Sequence, residues 1–123
     1  MKFVDPPHPS SGHYAPAVIT KSGLVFVSGQ SSVDPFSHQV TQEGIGAEMK
    51  VSLTRIENIL KNAGIDRTHI VMCKVYITDM KGWDEANAAY AEFFGEHKPA
   101  RAIYETARTH HGGHIEIEAV AEL

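Results

Sequence analysis

The hydrophobic positions of this chain change period along its length, which predicts a mixture of strands and helices. Short apolar or alternating runs, typical of strands, occur at 14–20, 24–28 and 70–78, and residues 2–4 form a further short candidate. Within 42–63 and 83–94 the apolar residues instead recur at steps of three or four, as on one face of a helix. Alternation returns at 101–108 and 114–121, on either side of a loop of histidines and glycines. The pattern therefore predicts the order β-β-α-β-α-β-β.

The first helical segment carries its own start and stop signals. Its apolar stripe consists of Ile45, Met49, Leu53, Ile56 and Leu60. Thr41 is a candidate N-cap, and Gly64 is well placed just after the last turn. Gly95 similarly follows the second helix. A helix of this length with one apolar stripe requires a sheet to cover it.

This order predicts an α+β fold, with a single mixed β-sheet packed by two helices on one face and one domain over residues 1–123. The other face of the sheet carries side chains such as Lys74 and Tyr76, so it must meet either water or other subunits. The last two strands are expected to be neighbours joined by a turn. Arg101 on one and the carboxylates of Glu116 and Glu118 on the other would then face a common cleft.

Composition narrows the functional classes. The chain has 123 residues, 42% of them hydrophobic and 21% charged, and a net charge of -4. An acidic balance makes nucleic-acid binding unlikely, because such proteins usually present a basic face. The single cysteine, Cys73, excludes an internal disulfide and suits a reducing cytoplasm. We find neither the roughly 18-residue apolar run of a membrane helix nor the apolar segment of a signal peptide.

Several short segments, in the same order, resemble the Rid/YjgF family of reactive-intermediate (imine/enamine) deaminases. They are Gly12-His13-Tyr14 with Ala17-Val18, Val27-Ser28-Gly29-Gln30, Val75 to Met80, Pro99-Ala100-Arg101 and Glu116-Ile117-Glu118-Ala119. Each segment is weak evidence alone, but five in order make the resemblance specific, and together they span most of the chain.

The resemblance implies a chorismate-mutase-like homotrimer whose active clefts lie between subunits. It also implies a reaction, the hydrolysis of 2-imino or 2-enamino acids to 2-oxo acids and ammonia, without a cofactor or a metal. The expected ligand is a small carboxylate. In this family the arginine that matches Arg101 grips the substrate carboxylate, and the glutamate that matches Glu116 orients or activates the hydrolytic water.

The chemistry of these two residue types agrees with such roles, although structural alternatives exist. A guanidinium binds a carboxylate through two charge-assisted hydrogen bonds, but Arg101 could instead form an internal ion pair with Glu105, Glu116 or Glu118. Imine hydrolysis needs a group that accepts a proton from water. Glu116 could supply it, or could be an ordinary solvated strand residue, with Glu118 as the second candidate.

Three further residues are substrate-binding candidates through the same resemblance. Tyr14 matches a tyrosine that lines the cleft, although an aromatic residue at a subunit interface would look the same. Ser28 and Gly29 match a strand end at the substrate site, where glycine permits close approach. They could equally form a simple turn.

The chain also departs from the family pattern. Ile103 stands where the deaminases usually have cysteine, and on the face shared with Arg101 it should shape the pocket and alter substrate preference. The loop with His110, His111 and His114 contains enough imidazoles for a metal site or a proton shuttle, but its glycines and the lack of Cys or Asp nearby argue against a metal.

Other functions remain open at this stage. The cleft could bind a small carboxylate for regulation without catalysis, or could deaminate another enamine acid such as an aminomuconate or aminoacrylate derivative. RNA cleavage, ascribed to some family members, fits the acidic composition poorly.

Overall fold

The computed structural model, which describes residues 1–10 and 12–123, has the expected α+β architecture. Its strands and helices are β1 (Lys2–Phe3), β2 (Ala17–Ile19), β3 (Leu24–Ser31), α1 (Ile45–Asn62), β4 (Ile70–Ile77), α2 (Trp83–Phe94), β5 (Ala100–Glu105) and β6 (Ile115–Glu122). Short 3-10 turns occur at Arg67–His69, Met80–Gly82 and His110–Gly112. None of the helices in these ranges is long and apolar enough to cross a membrane.

The strands form one six-stranded mixed sheet in the order β1-β2-β3-β6-β4-β5. Among the strand pairs just named, β4–β5 is parallel, with α2 as the crossover between its strands, and the others are antiparallel. β2 and β3 are antiparallel and form a hairpin. β6, the last strand in the chain, lies at the centre of the sheet and pairs with both β3 and β4.

One face of the sheet and the apolar stripes of both helices make the core. The alternating apolar residues of β6 are all buried, as is most of the apolar stripe of α1: Ile115, Ile117, Ala119 and Ala121 on β6, and Met49, Leu53, Ile56 and Leu60 on α1. Tyr90 and Phe94 extend this core from α2. Alternate residues of the same strands, among them Lys74 and Glu118, point to the opposite face.

The expectation that β5 and β6 are adjacent is wrong. β5 pairs in parallel with β4, and β4 lies between it and β6. The helix α2 runs back over the sheet, so the strand that follows it continues in the direction of β4, as right-handed crossovers usually do. β5 therefore forms an edge of the sheet.

Several element ends also differ from the prediction. α1 begins at Ile45, directly after Gly44, whose φ of 111° is a conformation that glycine adopts readily. Thr41 is therefore not the N-cap, and its hydroxyl accepts only a local hydrogen bond from the Glu43 N–H. Tyr14 precedes β2 and lies in a loop. β3 continues past Ser28 and Gly29 to Ser31, with a shift in register between Val27 and Gln30.

A second irregularity changes the inward face of β4. The register shifts between Ile70 and Met72, which buries Ile70 and leaves Val71 38% exposed. Strict alternation counted back from Cys73 predicts Val71 on the inward face. A bulge of this kind moves the preceding residues to the other face.

Candidate functional site

Three of the predicted site residues line one cavity. Tyr14, Gly29 and Glu116 surround a space of about 310 Å³ beside the register shift of β3. Glu116 also borders a second cavity, of about 280 Å³, with Tyr76 and Arg108. A volume near 300 Å³ is sufficient for a small organic acid.

Gly29 allows the Glu116 carboxylate to approach the backbone of β3 closely. A Cβ atom added at Gly29 would lie 3.2 Å from Glu116 Oε2 and 3.3 Å from its Cδ. Such distances are tighter than ordinary van der Waals contact, so a side chain here would press on the carboxylate. The absence of a side chain at Gly29 thus leaves room for the carboxylate at this position.

Ser28 holds the loop that carries Tyr14. Its hydroxyl donates to the carbonyl oxygen of Ala15 at 2.7 Å, and its N–H donates to the carbonyl of Pro16 at 2.9 Å. Tyr14 itself is about half exposed, and its hydroxyl receives a 3.4 Å hydrogen bond from Ser10. The Ser28 side chain is therefore engaged within the protein, while Tyr14 faces the cavity.

Arg101 lies elsewhere, against α2. Its Nη1 donates to Asn87 Oδ1 at 2.8 Å, and the guanidinium carbon is 5.0 Å from the centre of the Trp83 ring and 4.8 Å from that of Tyr90. It borders a cavity of about 360 Å³ at the end of α2. Within the described ranges no carboxylate lies within 4.0 Å of it, so the proposed internal ion pair is not formed there.

One chain does not bring Arg101 and Glu116 together. Arg101 is aligned with Cys73 of β4 and faces α2, whereas Glu116 is aligned with Tyr76. Positions 73 and 76 differ by an odd number, so their side chains point to opposite faces of the sheet. The common cleft expected from adjacent strands therefore does not exist within a single chain.

Ile103 follows Arg101 on the same face but turns inward. It is aligned with the buried Val75 and packs against the core. It does not border the cavity that Arg101 lines. Its influence on substrate preference stays a prediction.

The two glutamates of β6 have different surroundings. Glu118 accepts a 3.0 Å hydrogen bond from the Tyr76 hydroxyl, and the ammonium of Lys74 is 3.8 Å away. Glu116 makes no side-chain hydrogen bond with any residue in the described part of the chain. The Glu118 carboxylate is therefore held by Tyr76 and Lys74, whereas the Glu116 carboxylate is available to a ligand.

The histidine loop is fixed by a buried carboxylate on α1. Glu48 accepts hydrogen bonds from the Ser32 hydroxyl at 2.7 Å and from the His114 N–H at 2.9 Å, and His114 Nδ1 is 2.9 Å from its second oxygen. His110 and His111 border the Glu116 cavity with their rings 3.8 Å apart. Residues 1–10 and 12–123 hold no group of three or more His, Cys, Asp or Glu that could bind a metal.

Sequence reasoning missed one cation of the cavity, Arg55 on α1, which lines it together with Glu116. The signal was present in the sequence. Glu48, Ser52, Arg55 and Ile59 recur at steps of four and three beside the apolar stripe, and polar residues on such a flank lie near the sheet.

Cys73 is a free, fully buried thiol. Burial raises its pKa to about 11. Because the thiolate is the reactive form, this residue is not suited to nucleophilic chemistry.

Comparison with known proteins agrees with this fold and with the sequence motifs. The family model described as Endoribonuclease L-PSP matches residues 6–123. A 2-iminobutanoate/2-iminopropanoate deaminase of Bos taurus is 39% identical over 110 residues, which cover 89% of this chain and 80% of the relative.

Solved structures of the same family superpose over nearly the whole chain. The YjgF gene product of E. coli has a TM-score of 0.90 at 31% identity, with 99% of this chain and 98% of that chain covered. TdcF of E. coli, solved with bound serine, has a TM-score of 0.90 at 29% identity, with 100% and 99% covered. The fold, the ordered motifs and the family match together show that this chain belongs to the Endoribonuclease L-PSP family, also called the YjgF/Rid family.

Proposed function

We propose that this protein hydrolyses reactive 2-imino and 2-enamino acids to 2-oxo acids and ammonia, in clefts between the subunits of a homotrimer. The observation that carries most weight is that Arg101 keeps a guanidinium with only neutral partners, Asn87 and two aromatic rings, in the described part of the chain. A relative at 39% identity is named a deaminase of two such imino acids. A structural relative was solved with serine, itself a small amino acid.

The reaction needs only proton transfer and correct positioning from the protein. Water adds to the imine carbon while a proton reaches the nitrogen, which gives a carbinolamine; its C–N bond then breaks as the hydroxyl proton passes to nitrogen, and ammonia leaves. Glu116 is the group that accepts the proton from water and returns one to nitrogen. Because such imines also hydrolyse spontaneously, correct positioning of acid and water gives the needed acceleration. No cofactor enters this chemistry.

The separation of the two residues supports an assembly of several copies. Since Arg101 and Glu116 are on opposite faces of one sheet, a substrate can meet both only if a second copy supplies one of them. We place Arg101 of one subunit at the cavity of its neighbour, where Tyr14 and Gly29 accompany Glu116. The uncovered face of the sheet, with Phe26 and Tyr104 exposed, offers apolar area for such packing.

Two other activities are weaker candidates. RNA cleavage, which the family's description mentions, needs a basic face, and this chain has a net charge of -4. A protein that only binds small carboxylates would use the same cavities and is distinguished from the enzyme by its lack of turnover.

The single thiol suits a reducing compartment, and we place the protein in the cytoplasm.

The test follows the decay of an imino acid, made in situ from alanine by an amino-acid oxidase, with and without the protein. We expect wild-type protein to accelerate decay, Arg101→Ala to lower kcat/KM by roughly tenfold to a hundredfold, and Glu116→Gln to lower kcat by about 10²-fold or more. Glu116→Gln should still bind a 2-oxo acid. Lys21→Ala, in the turn between β2 and β3, is the matched control.

If wild-type protein leaves the decay rate unchanged while it binds 2-oxo acids, the protein is a carboxylate binder. If Arg101→Ala turns over as fast as wild type, the assignment of the carboxylate clamp is wrong.

A further inference from the structure

The cavity beside Glu116 contains a second guanidinium that the proposed reaction does not use. Arg55 extends from α1, is half-buried, and lines the same space as Glu116, Tyr14 and Gly29. A partly buried cation is costly unless an anion or a set of neutral hydrogen-bond acceptors compensates for its lost hydration.

Residues 1–10 and 12–123 supply only neutral hydrogen-bond acceptors to Arg55. Arg55 Nε donates to Gln30 Oε1 at 3.2 Å, and Nη1 donates to the carbonyl oxygens of Ser31 at 3.4 Å and Val33 at 2.5 Å. Among the residues that the structure describes, none accepts a hydrogen bond from Nη2, and no carboxylate lies within 4.0 Å. These contacts fix the direction of the guanidinium but leave its charge unpaired.

Another arginine of the chain shows what a structural pairing looks like. Arg67 Nε and Nη2 donate to the two carboxylate oxygens of Glu57 at 2.6 and 2.5 Å. This bidentate geometry satisfies both donors and charge. Arg55 lacks any such partner, so its position is not explained by an internal ion pair.

The Asp34 and Glu116 carboxylates attract Arg55 electrostatically, but neither lies within 4.0 Å of its guanidinium. Asp34 accepts the N–H groups of Phe36 and Ser37 at 2.8 Å each, which holds its carboxylate in a turn. Glu116 is the proposed acid-base group. Burial lowers the pKa of Arg55, because water is withdrawn from the charged form. An incoming carboxylate would replace some of that lost solvation.

We propose that Arg55 determines substrate specificity by binding a second carboxylate, at the end of the substrate side chain. The favoured substrates are then imines of dicarboxylic amino acids. This inference rests on the proposed function, in which the imine carbon lies at Glu116 and Arg101 binds the first carboxylate. The cavity of about 310 Å³ accommodates a five-carbon acid.

The test compares two imino acids of nearly equal size that differ by one charge, those formed from glutamate and from glutamine. We expect wild-type kcat/KM to be about tenfold higher for the glutamate imine, as for one charge-assisted hydrogen bond. Arg55→Gln should bring this ratio close to one, and Arg55→Lys, which keeps the charge without the planar fork, should give an intermediate ratio. Lys50→Gln removes a charge from the exposed side of α1 and should leave the ratio unchanged.

A second measurement needs no variant and covers the case in which Arg55→Gln fails to fold. Wild-type protein should bind 2-oxoglutarate about tenfold more tightly than 2-oxovalerate by calorimetry. Equal affinities, or an Arg55→Gln ratio equal to that of wild type, would overturn the proposal. If wild-type protein accelerates the hydrolysis of no imino acid, the result contradicts the proposed function itself.

Discussion

Glu116 and Glu118 lie two positions apart on one face of β6, yet their neighbours give them different uses. The Tyr76 hydroxyl donates to Glu118, and burial together with this hydrogen bond raises the pKa of Tyr76. Glu116 instead rests beside the bare backbone of Gly29 at the edge of a cavity. The two glutamates therefore differ in role because the adjacent strands place different groups next to them.

Substitution of Gly29 by alanine tests the proposed position of the Glu116 carboxylate. The new methyl group would lie 3.2 Å from Oε2, so the carboxylate must shift by a few tenths of an ångström. We expect kcat for imine hydrolysis to fall by roughly threefold to tenfold, because small misplacements of catalytic groups are costly, while thermal unfolding changes little.

The control for Gly29→Ala is Gly46→Ala on α1. Its added methyl group would lie 3.4 Å from the side chain of another glutamate, Glu85, which lines none of the cavities described above. Full activity in Gly29→Ala would mean that the carboxylate of Glu116 does not need its present position.

At the scale of elements, α1 does more than cover the sheet. Polar side chains on its two flanks make three connections: Glu48 to the histidine loop, Arg55 to the end of β3, and Glu57, on the other flank, to the turn before β4. The Arg67 that pairs with Glu57 also stacks on Phe93 of α2 at 3.7 Å and donates to its carbonyl oxygen. This helix therefore positions both the site and the neighbouring helix.

Glu57→Gln should lower the free energy of unfolding by about 1–3 kcal/mol near pH 7. The hydrogen bond from Arg67 holds the pKa of Glu57 below its ordinary value of 4.5. A lowered pKa means that the stabilisation is complete above about pH 4.5 and is lost as pH falls through the folded-state pKa. The difference between wild type and variant should therefore shrink in acid.

Urea unfolding at several pH values measures this effect, with Glu92→Gln on the exposed side of α2 as the control. A difference that stays constant down to pH 3 would show that the Glu57 charge contributes nothing.

The same elements show what the sequence could predict. The alternation of β6 and the stripe of α1 gave the correct buried faces, because burial follows directly from period. The neighbours of β5 were predicted wrongly, because period says nothing about which strands pair. Val71 and the length of β3 were missed because bulges leave no trace in hydrophobicity. Motifs drew attention to Glu116 and Tyr14, which the structure places at one cavity, whereas Arg55 of the same cavity lies on a helix flank outside every motif.

For the whole molecule, the decisive feature is that its two main candidate residues face opposite sides of one sheet. The cavity with Glu116 and the cavity with Arg101 are both formed within one chain, but neither is complete for the proposed reaction. In the proposed function, activity is therefore a property of the assembly.

Mixed assemblies test this directly. When Arg101→Ala and Glu116→Gln chains are co-expressed in equal amounts, about one quarter of the clefts in random trimers receive an intact Arg101 and an intact Glu116. We expect about that fraction of wild-type activity from two nearly inactive variants. Separately purified variants, mixed after assembly, are the control. No recovery on co-expression would place both residues in the site of one chain, or outside any common site.

The position of β6 has a consequence for how the protein is made. β1, β2 and β3 form one part of the sheet and β4 and β5 another, and β6 supplies the strand pairing that joins them. A nascent chain on the ribosome can therefore form both parts early but cannot unite them until residues 115–122 have emerged. The long separation in sequence between β3 and β6 makes this final closure the slow, entropically costly event of folding.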